Sequence, residues 1–291
     1  NASVGLYGTN GTRLSNKNII TVGDSSAGLI TSGAGSLVKN SGTITIGDSS
    51  NPSDPSLGIY SNNAGDTITN NGIITSGINS IVVYSAGGIV NQNNTMNIGD
   101  AGVGIYISDG TVTTGASSVF NFGTNSAVGV YGVRSSAVNN SSMNVGNGNY
   151  GFILTDGMFT NNAANVTLGT DSVFAYNSGS GTVLNNAGTV ITMNGSDNIA
   201  YYTVNGAGIQ NDGTINGTAG ANNIGIYNTG GTLTNNGTVN VGDSTLVYVT
   251  NSKGEQVLDV ANSRYAVGLY GENSAVLNNT TGNISVGAGA I

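Results

Sequence analysis

The sequence contains no cysteine, no histidine and no tryptophan, and only two of its 291 residues are proline. Without histidine or cysteine there can be no Ser-His-Asp triad, no cysteine nucleophile, and no zinc, haem or iron–sulfur site of the usual kind. Charge is also scarce: 7% of the residues are charged, and the formal net charge is −8. This acidic balance argues against nucleic acid as a partner, because proteins hold it mainly by neutralising its phosphates.

Long apolar runs are missing as well. No segment approaches the ~20 apolar residues of a transmembrane helix, and no signal peptide is visible. Hydrophobic residues nevertheless make up 37% of the chain, which is enough to bury a core and argues against intrinsic disorder. The 48 glycines follow no three-residue period, which excludes collagen. We therefore expect a folded chain that needs no metal and no cofactor.

A short phrase, apolar-Gly-apolar-Tyr, recurs through the whole sequence. The clear copies are Val4-Gly5-Leu6-Tyr7, Leu57-Gly58-Ile59-Tyr60, Val103-Gly104-Ile105-Tyr106, Val128-Gly129-Val130-Tyr131, Ile224-Gly225-Ile226-Tyr227 and Val267-Gly268-Leu269-Tyr270. Weaker copies begin at Gly28, Val82, Gly151, Phe174 and Ala200. Most neighbouring copies lie 22–26 residues apart, but one interval is 30 residues and another is 43. The chain is therefore an array of eleven repeats.

Each repeat holds three short runs in which apolar and polar residues alternate, such as Ile44-Thr45-Ile46. Such alternation is typical of a strand with one buried face. Three strands in about 22–26 residues, separated by Gly, Asn, Ser and Asp turns, match one coil of a parallel β-helix. We predict an all-β, right-handed parallel β-helix, or solenoid, of about eleven coils with three short strands per coil.

A second position in each repeat is nearly always asparagine. Its members are Asn16, Asn40, Asn70, Asn91, Thr114, Asn139, Asn161, Asn185, Asn211, Asn235 and Asn278. Each follows an apolar residue by two positions, as Asn16 follows Leu14, so its side chain should face inward at a turn. Stacked amides can hydrogen-bond along the rod. We interpret this column as structural rather than as a ligand site.

The two long intervals predict loops that leave the rod. One lies near residues 50–56 and contains both prolines, which cannot donate to a strand ladder. The other, near residues 249–265, predicts a β-hairpin that turns at Lys253-Gly254. Insertions in repeat proteins often meet partners, so Lys253, Glu255 and Arg264 are candidate binding residues. The alternative is that both loops are neutral surface excursions.

The tyrosine of the repeated phrase predicts an aromatic surface. If Leu57 and Ile59 point inward, Gly58 and Tyr60 should face outward together. Rings beside a glycine strip offer a platform for sugars or protein side chains. The candidate binding residues in this column are Tyr60, Tyr84, Tyr106 and Tyr131. The alternative is that the rings only stack on one another and stiffen the rod.

Several aspartates fall in turns after the third strand. We expect these residues (Asp24, Asp48, Asp100 and Asp243) to accept hydrogen bonds from the backbone that follows them. Asp24 and Asp48 lie on neighbouring coils, where a pair of carboxylates can hold Ca²⁺. The Gly-Gly-x-Gly-x-Asp calcium repeat is missing, however, so we assign no metal site.

One pair of carboxylates suggests an enzyme. Asp109 and Asp156 occupy the same repeat position two coils apart, which places them about 9.6 Å from each other. Inverting glycosidases hold their two carboxylates roughly 6.5–9.5 Å apart. Both aspartates also fit plain Asp-Gly turns, and no basic residue clusters beside them in the sequence. We expect no enzyme and assign no catalytic residue; a β-helix hydrolase or lyase acting on carbohydrate is the alternative.

The sequence pattern of the repeat resembles that of a known family. The segments Asn235-Asn236-Gly237-Thr238-Val239-Asn240-Val241-Gly242-Asp243-Ser244 and Gly58-Ile59-Tyr60 are similar to passenger repeats of large autotransporter adhesins, in particular the giant fusobacterial type V adhesins. The resemblance covers essentially the whole chain. It implies a right-handed β-helix displayed outside the cell at the outer membrane, acting as a rigid stalk and an adhesive surface.

The resemblance also implies partners. We expect a receptor on a host cell or another bacterium, either protein or glycan, and membrane contact only through a C-terminal barrel that this sequence does not contain. Because the chain starts and stops in phase with the repeat, we expect residues 1–291 to be one β-helix segment cut from a longer passenger. The alternative within the same fold is an inert spacer with no ligand of its own.

Overall fold

In the computed structural model, residues 3–291 are described, and they form strands, turns and loops without any helix. The chain winds through eleven coils of three strands each, and all pairing between coils is parallel. The predicted all-β parallel solenoid is therefore confirmed. Among these residues there is accordingly no helix long and apolar enough to span a membrane.

The strands are short and regularly placed. Coils 1–3 contain β1 (Val4–Thr9), β2 (Arg13–Asn16), β3 (Ile19–Val22), β4 (Ala27–Ser32), β5 (Leu37–Asn40), β6 (Thr43–Ile46), β7 (Leu57–Ser61), β8 (Thr67–Asn70) and β9 (Ile73–Thr75). Coils 4–6 contain β10 (Ile81–Ala86), β11 (Ile89–Gln92), β12 (Thr95–Asn97), β13 (Val103–Ser108), β14 (Thr111–Thr114), β15 (Val119–Asn121), β16 (Val128–Val133), β17 (Ser136–Asn139) and β18 (Met143–Asn144). Coils 7–9 contain β19 (Tyr150–Thr155), β20 (Met158–Asn161), β21 (Asn165–Leu168), β22 (Val173–Ser178), β23 (Thr182–Asn185), β24 (Val190–Met193), β25 (Ile199–Val204), β26 (Gly208–Asn211) and β27 (Thr214–Gly217). Coil 10 contains β28 (Ile224–Thr229), β29 (Thr232–Asn235) and β30 (Thr238–Val241); a hairpin of β31 (Tyr248–Thr250) and β32 (Gln256–Leu258) follows; coil 11 contains β33 (Val267–Glu272), β34 (Ala275–Asn278) and β35 (Asn283–Val286).

The strands form long sheets along the rod. The first strands of all coils make sheet 1 and the second strands make sheet 2, each with eleven strands. The third strands make two sheets, one of five strands from β3 to β15 and one of six from β18 to β35. With neighbouring strands about 4.8 Å apart, eleven coils give a rod roughly 50 Å long.

The core lies inside the coils, where the three sheets face one another. In coil 3, for example, Ile59 of sheet 1, Ile68 of sheet 2 and Ile74 of the third strand are all fully buried. Burying each such side chain contributes roughly 1.5–3 kcal/mol. Because each coil packs on its neighbours alone, the stability of the rod is approximately a sum of coil-stacking terms.

The core of coils 7–9 is aromatic. Phe152 packs against Phe159 with ring centroids 4.5 Å apart, and Phe174 meets Phe159 edge-on at 5.7 Å. Tyr201 joins the cluster, and its hydroxyl donates to Asn185 Oδ1 at 2.8 Å. Burial raises the pKa of Tyr201 well above its ordinary value, so the hydroxyl remains a donor.

The inward asparagine column forms a hydrogen-bonded ladder. Asn16 Nδ2 donates to Asn40 Oδ1 at 2.9 Å, and Asn40 donates in the same way to Asn70 at 2.8 Å. A second run begins where Thr114 Oγ1 donates to Asn139 Oδ1 at 2.8 Å. It continues through Asn161, Asn185, Asn211 and Asn235 to Asn278. The column is thus structural, as interpreted.

The prediction for coil 4 of this ladder was wrong by one residue. Asn70 Nδ2 donates to Gln92 Oε1 at 2.9 Å, and Gln92 is fully buried. Asn91 instead pairs in register with Thr69 and Thr113 on the outward side of sheet 2. A shift of one residue along a strand moves a side chain to the opposite face.

A buried carboxylate fixes the corner between sheets 1 and 2. Asp66 has no solvent exposure. It accepts hydrogen bonds from the Ser36 amide at 2.7 Å, from Thr31 Oγ1 at 3.0 Å and from Ser61 Oγ at 2.7 Å. These three donors replace the water that the carboxylate loses on burial.

Candidate functional site

The outer face of sheet 1 carries two columns of side chains. In β13 and its counterparts the first and fourth residues, such as Val103 and Tyr106, are partly exposed, whereas the third and fifth are buried. The fourth residue is tyrosine in most coils and the first is usually aliphatic. An apolar and aromatic strip, which we call the tyrosine strip, therefore runs along the rod.

The predicted orientation of the glycine in this strip was wrong. Gly58 is buried and points inward, whereas Leu57 is partly exposed beside Tyr60. A Cβ on Gly58 would clash with the carbonyl oxygen of Val82 in the next coil and lie 3.0 Å from Ile74 Cγ2. Glycine is required because two backbones approach closely here, so Gly58 and Ile59 both face inward and the strict alternation is interrupted.

The four tyrosines predicted as binding residues lie in one continuous stack. Tyr60 and Tyr84 have ring centroids 5.1 Å apart, and Tyr106 and Tyr131 have centroids 5.7 Å apart with planes only 8° from parallel. Desolvation raises the pKa of Tyr84 and Tyr106, and the adjacent tyrosine hydroxyls raise it further. These hydroxyls therefore stay protonated at neutral pH and can donate hydrogen bonds.

The stack continues beyond coil 7 with a different geometry. Tyr176 and Tyr202 meet edge-on at 5.2 Å with planes 85° apart, and Tyr202 meets Tyr227 in a similar way at 4.7 Å. Tyr227 and Tyr270 return to parallel stacking at 4.5 Å. Edge-on rings expose edges as well as faces, so this half of the strip offers a less even surface than coils 3–6.

Coil 7 interrupts the stack and opens a groove. Ile153 stands where the other coils around it carry tyrosine, and Tyr150 stands where they carry an aliphatic residue. A groove of about 420 Å³ lies over coils 7–9 and is lined by Tyr150, Ile153, Val173, Tyr176, Ile199 and Tyr202. Sequence reasoning missed this groove, although the phrase Tyr150-Gly151-Phe152-Ile153 places the aromatic ring three residues early and signals it.

The carboxylate pair considered for catalysis has a basic residue between its members. Arg134 lies in the coil between Asp109 and Asp156, and its guanidinium donates to both oxygens of Asp109 at 2.7 Å. The expectation that no basic residue stands beside the pair was therefore wrong. Hydrogen bonding to Arg134 lowers the pKa of Asp109, whereas a general acid needs a raised pKa. Asp156 accepts hydrogen bonds from the Ser180 amide and hydroxyl.

The second insertion is a hairpin that stands out from the rod. β31 and β32 pair antiparallel, and Lys253 and Glu255 are exposed at the tip. Glu255 accepts a hydrogen bond from Asn251 Nδ2 at 2.8 Å. Arg264 lies at the base and pairs with Asp197 of coil 9 at 3.0 Å. Lys253 and Glu255 are thus accessible to a partner molecule, whereas Arg264 forms an ion pair that holds the base of the hairpin against coil 9.

The hairpin and the four stacked tyrosines lie at separate positions along the rod. The hairpin follows coil 10, whereas Tyr60 to Tyr131 lie in coils 3–6. At least four coils, or about 19 Å, separate them along the rod. The predicted site residues therefore make two candidate surfaces rather than one.

The turn aspartates bind backbone of the next coil rather than their own. Asp24 Oδ1 accepts from the Asp48 amide at 3.0 Å, and Asp48 Oδ1 accepts from the Ile78 amide at 2.8 Å. Asp100 and Asp243 make the same kind of bond to Thr124 and Ala288. The expected bond to the following backbone was wrong, and each carboxylate instead ties one coil to the next.

The chain resembles a solved structure only weakly. No protein-family model matches the sequence, and no curated protein matches it. The crystal structure of a TibC-catalysed, hyper-glycosylated TibA fragment is similar at 14% identity over 97% of this chain and 100% of that chain, with a TM-score of 0.24. At this TM-score the similarity is too weak to support a conclusion about function.

Proposed function

We propose that the chain is a passenger segment of a surface-displayed adhesin, in which the solenoid is a rigid stalk and the tyrosine strip is an adhesive surface. The partner is a receptor, protein or glycan, on a host cell or another bacterium. The chain acts outside the cell, at the outer-membrane surface. The repeat sequence, which resembles passenger repeats of autotransporter adhesins, supports both the proposed family and the proposed location outside the cell.

The observation that carries the proposal is the length of the tyrosine strip, which Ile153 interrupts at coil 7 and which resumes at Tyr176. Stacked rings in coils 3–6 and the groove over coils 7–9 lie on the same face of the rod. Such rings are not needed to fill the core, which lies on the other side of sheet 1. Tyrosine gives a large contact area with few rotatable bonds and a polar tip, properties favoured at binding surfaces.

The residues of the chain favour binding over catalysis. A Ser-His-Asp or cysteine mechanism is impossible without histidine or cysteine. The carboxylate pair that resembles a glycosidase has Asp109 held as an ion pair by Arg134. We therefore propose that the chain is not an enzyme and that Asp109, Arg134 and Asp156 stabilise a turn.

Cell attachment tests the proposal directly. The labelled chain should bind host epithelial cells or partner bacteria, and a variant with Tyr60, Tyr84, Tyr106 and Tyr131 replaced by Ser should lose most of that binding. Replacement of Tyr248 by Ser, an exposed ring on the hairpin, controls for loss of tyrosine as such. Deletion of residues 250–264 tests the hairpin separately.

Three results would contradict the proposal in different ways. If the intact chain attaches to no cell tested, it is an inert spacer. If attachment survives both the tyrosine replacements and the deletion, the adhesive surface lies elsewhere. If the chain cleaves a polysaccharide and loses that activity on Asp109→Asn with Asp156→Asn, it is an enzyme.

A further inference from the structure

Charge is segregated along the rod. Residues 1–47 carry three basic residues, Arg13, Lys17 and Lys39, against one acidic residue, Asp24. Residues 48–291 carry three basic residues against thirteen acidic ones. The first part therefore has a formal charge of +2 and the rest has −10. A chain that is acidic as a whole begins with a basic region.

Two of these basic residues line one groove. Arg13 and Lys39 lie on the outer face of sheet 2 with Leu37 and the hydroxyl residues Ser15, Thr67 and Thr69, around a groove of about 350 Å³ over coils 1–3. Lys39 pairs in register with Ser15, so its Cα is about 8 Å from that of Arg13. Lys17 follows β2 at the corner beside the groove and is exposed.

None of these three basic side chains forms an ion pair within residues 3–291. In residues 3–291 the side-chain ion pairs are Arg134 with Asp109 and Arg264 with Asp197. Arg13, Lys17 and Lys39 are exposed, and no carboxylate in that part of the chain lies within 4.0 Å of their charged groups. Their positive charges are therefore available to an anionic ligand.

We propose that this groove binds a short sulfated oligosaccharide. Guanidinium and ammonium groups pair with sulfate as they do with phosphate, and arginine can do so through two parallel hydrogen bonds. Leu37 provides an apolar floor for the C–H face of a sugar ring, and Ser15, Thr67 and Thr69 supply hydroxyls for its oxygens. The site is distinct from the tyrosine strip, which lies on sheet 1, and it does not depend on the function proposed for that strip.

Nucleic acid fits the groove less well. Single strands are usually bound by aromatic side chains on which bases stack, and no aromatic residue lines the groove. Duplex DNA carries about one charge per 1.7 Å of helix axis and is bound by extended basic surfaces. Beyond the groove the chain is strongly acidic, so a long duplex would be repelled. A short sulfated oligosaccharide covers the basic coils alone.

The rod contains a natural comparison for this groove. A second groove of about 350 Å³ lies on the same face of sheet 2 over coils 8–10. Thr182 takes the place of Arg13 there, and Gln210 takes the place of Lys39. No charged residue lines it. The two grooves share backbone geometry and differ in charge, so they separate the effect of charge from that of shape.

Calorimetry with a heparin-derived hexasaccharide tests the proposal on the full 291-residue chain. Replacing Arg13, Lys17 and Lys39 by Gln should weaken binding at least tenfold, whereas Lys253→Gln should change it less than twofold. Affinity should also fall as salt rises from about 50 to 200 mM, because charge pairing with a polyanion is screened and releases counterions. Adding Thr182→Arg with Gln210→Lys to the triple variant should restore binding at the second groove.

Other outcomes would overturn the proposal. Equal binding of an unsulfated N-acetylheparosan hexasaccharide would show that sulfate is not recognised. Unchanged heparin binding by the triple variant would place the site elsewhere. Tighter binding of a 20-base-pair DNA duplex than of the hexasaccharide would make the groove a nucleic-acid site. The three side chains are exposed, so a circular dichroism spectrum like that of the parent chain is expected and verifies the fold of each variant.

Discussion

The ring of Tyr84 lies 4.9 Å from the ring of Tyr106, and the two planes differ by 7°. Their Cα atoms are register partners in adjacent strands of sheet 1, which lie about 4.8 Å apart. The rings therefore repeat with the same spacing as the backbone. The geometry of this surface is therefore set by the hydrogen-bonded sheet beneath it rather than by flexible loops.

Restoring the missing ring in coil 7 should join the two halves of the strip. Ile153 is the register partner of both Tyr131 and Tyr176, so Ile153→Tyr places a ring between them. We expect a gain of about 0.5–1.5 kcal/mol from each aromatic contact formed, a stronger near-ultraviolet circular dichroism signal, and a filled groove. Ile153→Val, which adds no ring, is the control. A variant less stable than the control would show that Tyr does not fit in this column.

The inner and outer asparagines of one turn, Asn185 and Asn186, should differ sharply in their contribution to the free energy of unfolding. Asn185 is buried, and its side chain bonds to Asn161, Asn211, Thr189 and the Tyr201 hydroxyl. Asn185→Ala should cost at least 2 kcal/mol, because each buried partner left unsatisfied costs about 1–3 kcal/mol.

Asn186 is the matched control for this substitution. Its side chain is on the outer surface and donates to Asn162, where water can replace the lost bond. Asn186→Ala should cost less than about 1 kcal/mol. Urea unfolding followed by far-ultraviolet circular dichroism measures both variants. Equal losses would contradict a stabilising role for the inner ladder.

Removing the buried carboxylate should destabilise the corner of coils 2 and 3. Asp66→Ala leaves the Ser36 amide and the hydroxyls of Thr31 and Ser61 without their acceptor. We expect a loss of about 2–4 kcal/mol in thermal or urea unfolding. Asp54→Ala, in the exposed proline loop, should change stability by less than about 0.5 kcal/mol. Similar effects of the two changes would mean that the three donors find other partners.

The Arg134–Asp109 pair predicts a pH effect of known sign. Hydrogen bonds from Arg134 lower the pKa of Asp109 below its ordinary value of 3.8. The contribution to stability is therefore present above about pH 4 and is lost as the pH falls through the folded-state pKa. In an NMR titration of the Asp109 carboxyl carbon, Arg134→Gln should move the midpoint up toward 3.8. Lys253→Gln, which removes a distant positive charge, should leave it in place. An unmoved midpoint in Arg134→Gln would refute the coupling.

The fold could be predicted because one pattern is repeated eleven times. A single stretch such as Ile44-Thr45-Ile46 only suggests a strand, but copies at regular spacing can all bury their apolar residues only by stacking. The aromatic column followed for the same reason, since equal positions in successive coils must lie above one another. The stacking of Tyr60 on Tyr84 is a direct result.

The remaining features depend on contacts between coils that no local pattern contains. Position 58 carries glycine because the backbone of Val82 passes close to it. Asn91 and Gln92 both follow an apolar residue by two positions, and Gln92 joins the ladder because it is the register partner of Asn70 and Thr114. Arg134 was overlooked because comparing Asp109 with Asp156 skips the coil between them. The groove over coils 7–9 arises from a ring that is missing at Ile153.

The solenoid has two discontinuities that fall close together. The inner ladder stops at Gln92, whose amide donates to the Asn94 carbonyl instead of to Thr114, and starts again at Thr114. The third-strand sheet stops at β15 and starts again at β18. In this stretch sheets 1 and 2 alone are continuous. A rod pulled from its two ends should therefore yield first between coils 4 and 6 and separate into two blocks. We expect this middle section to set the force at which the rod first extends.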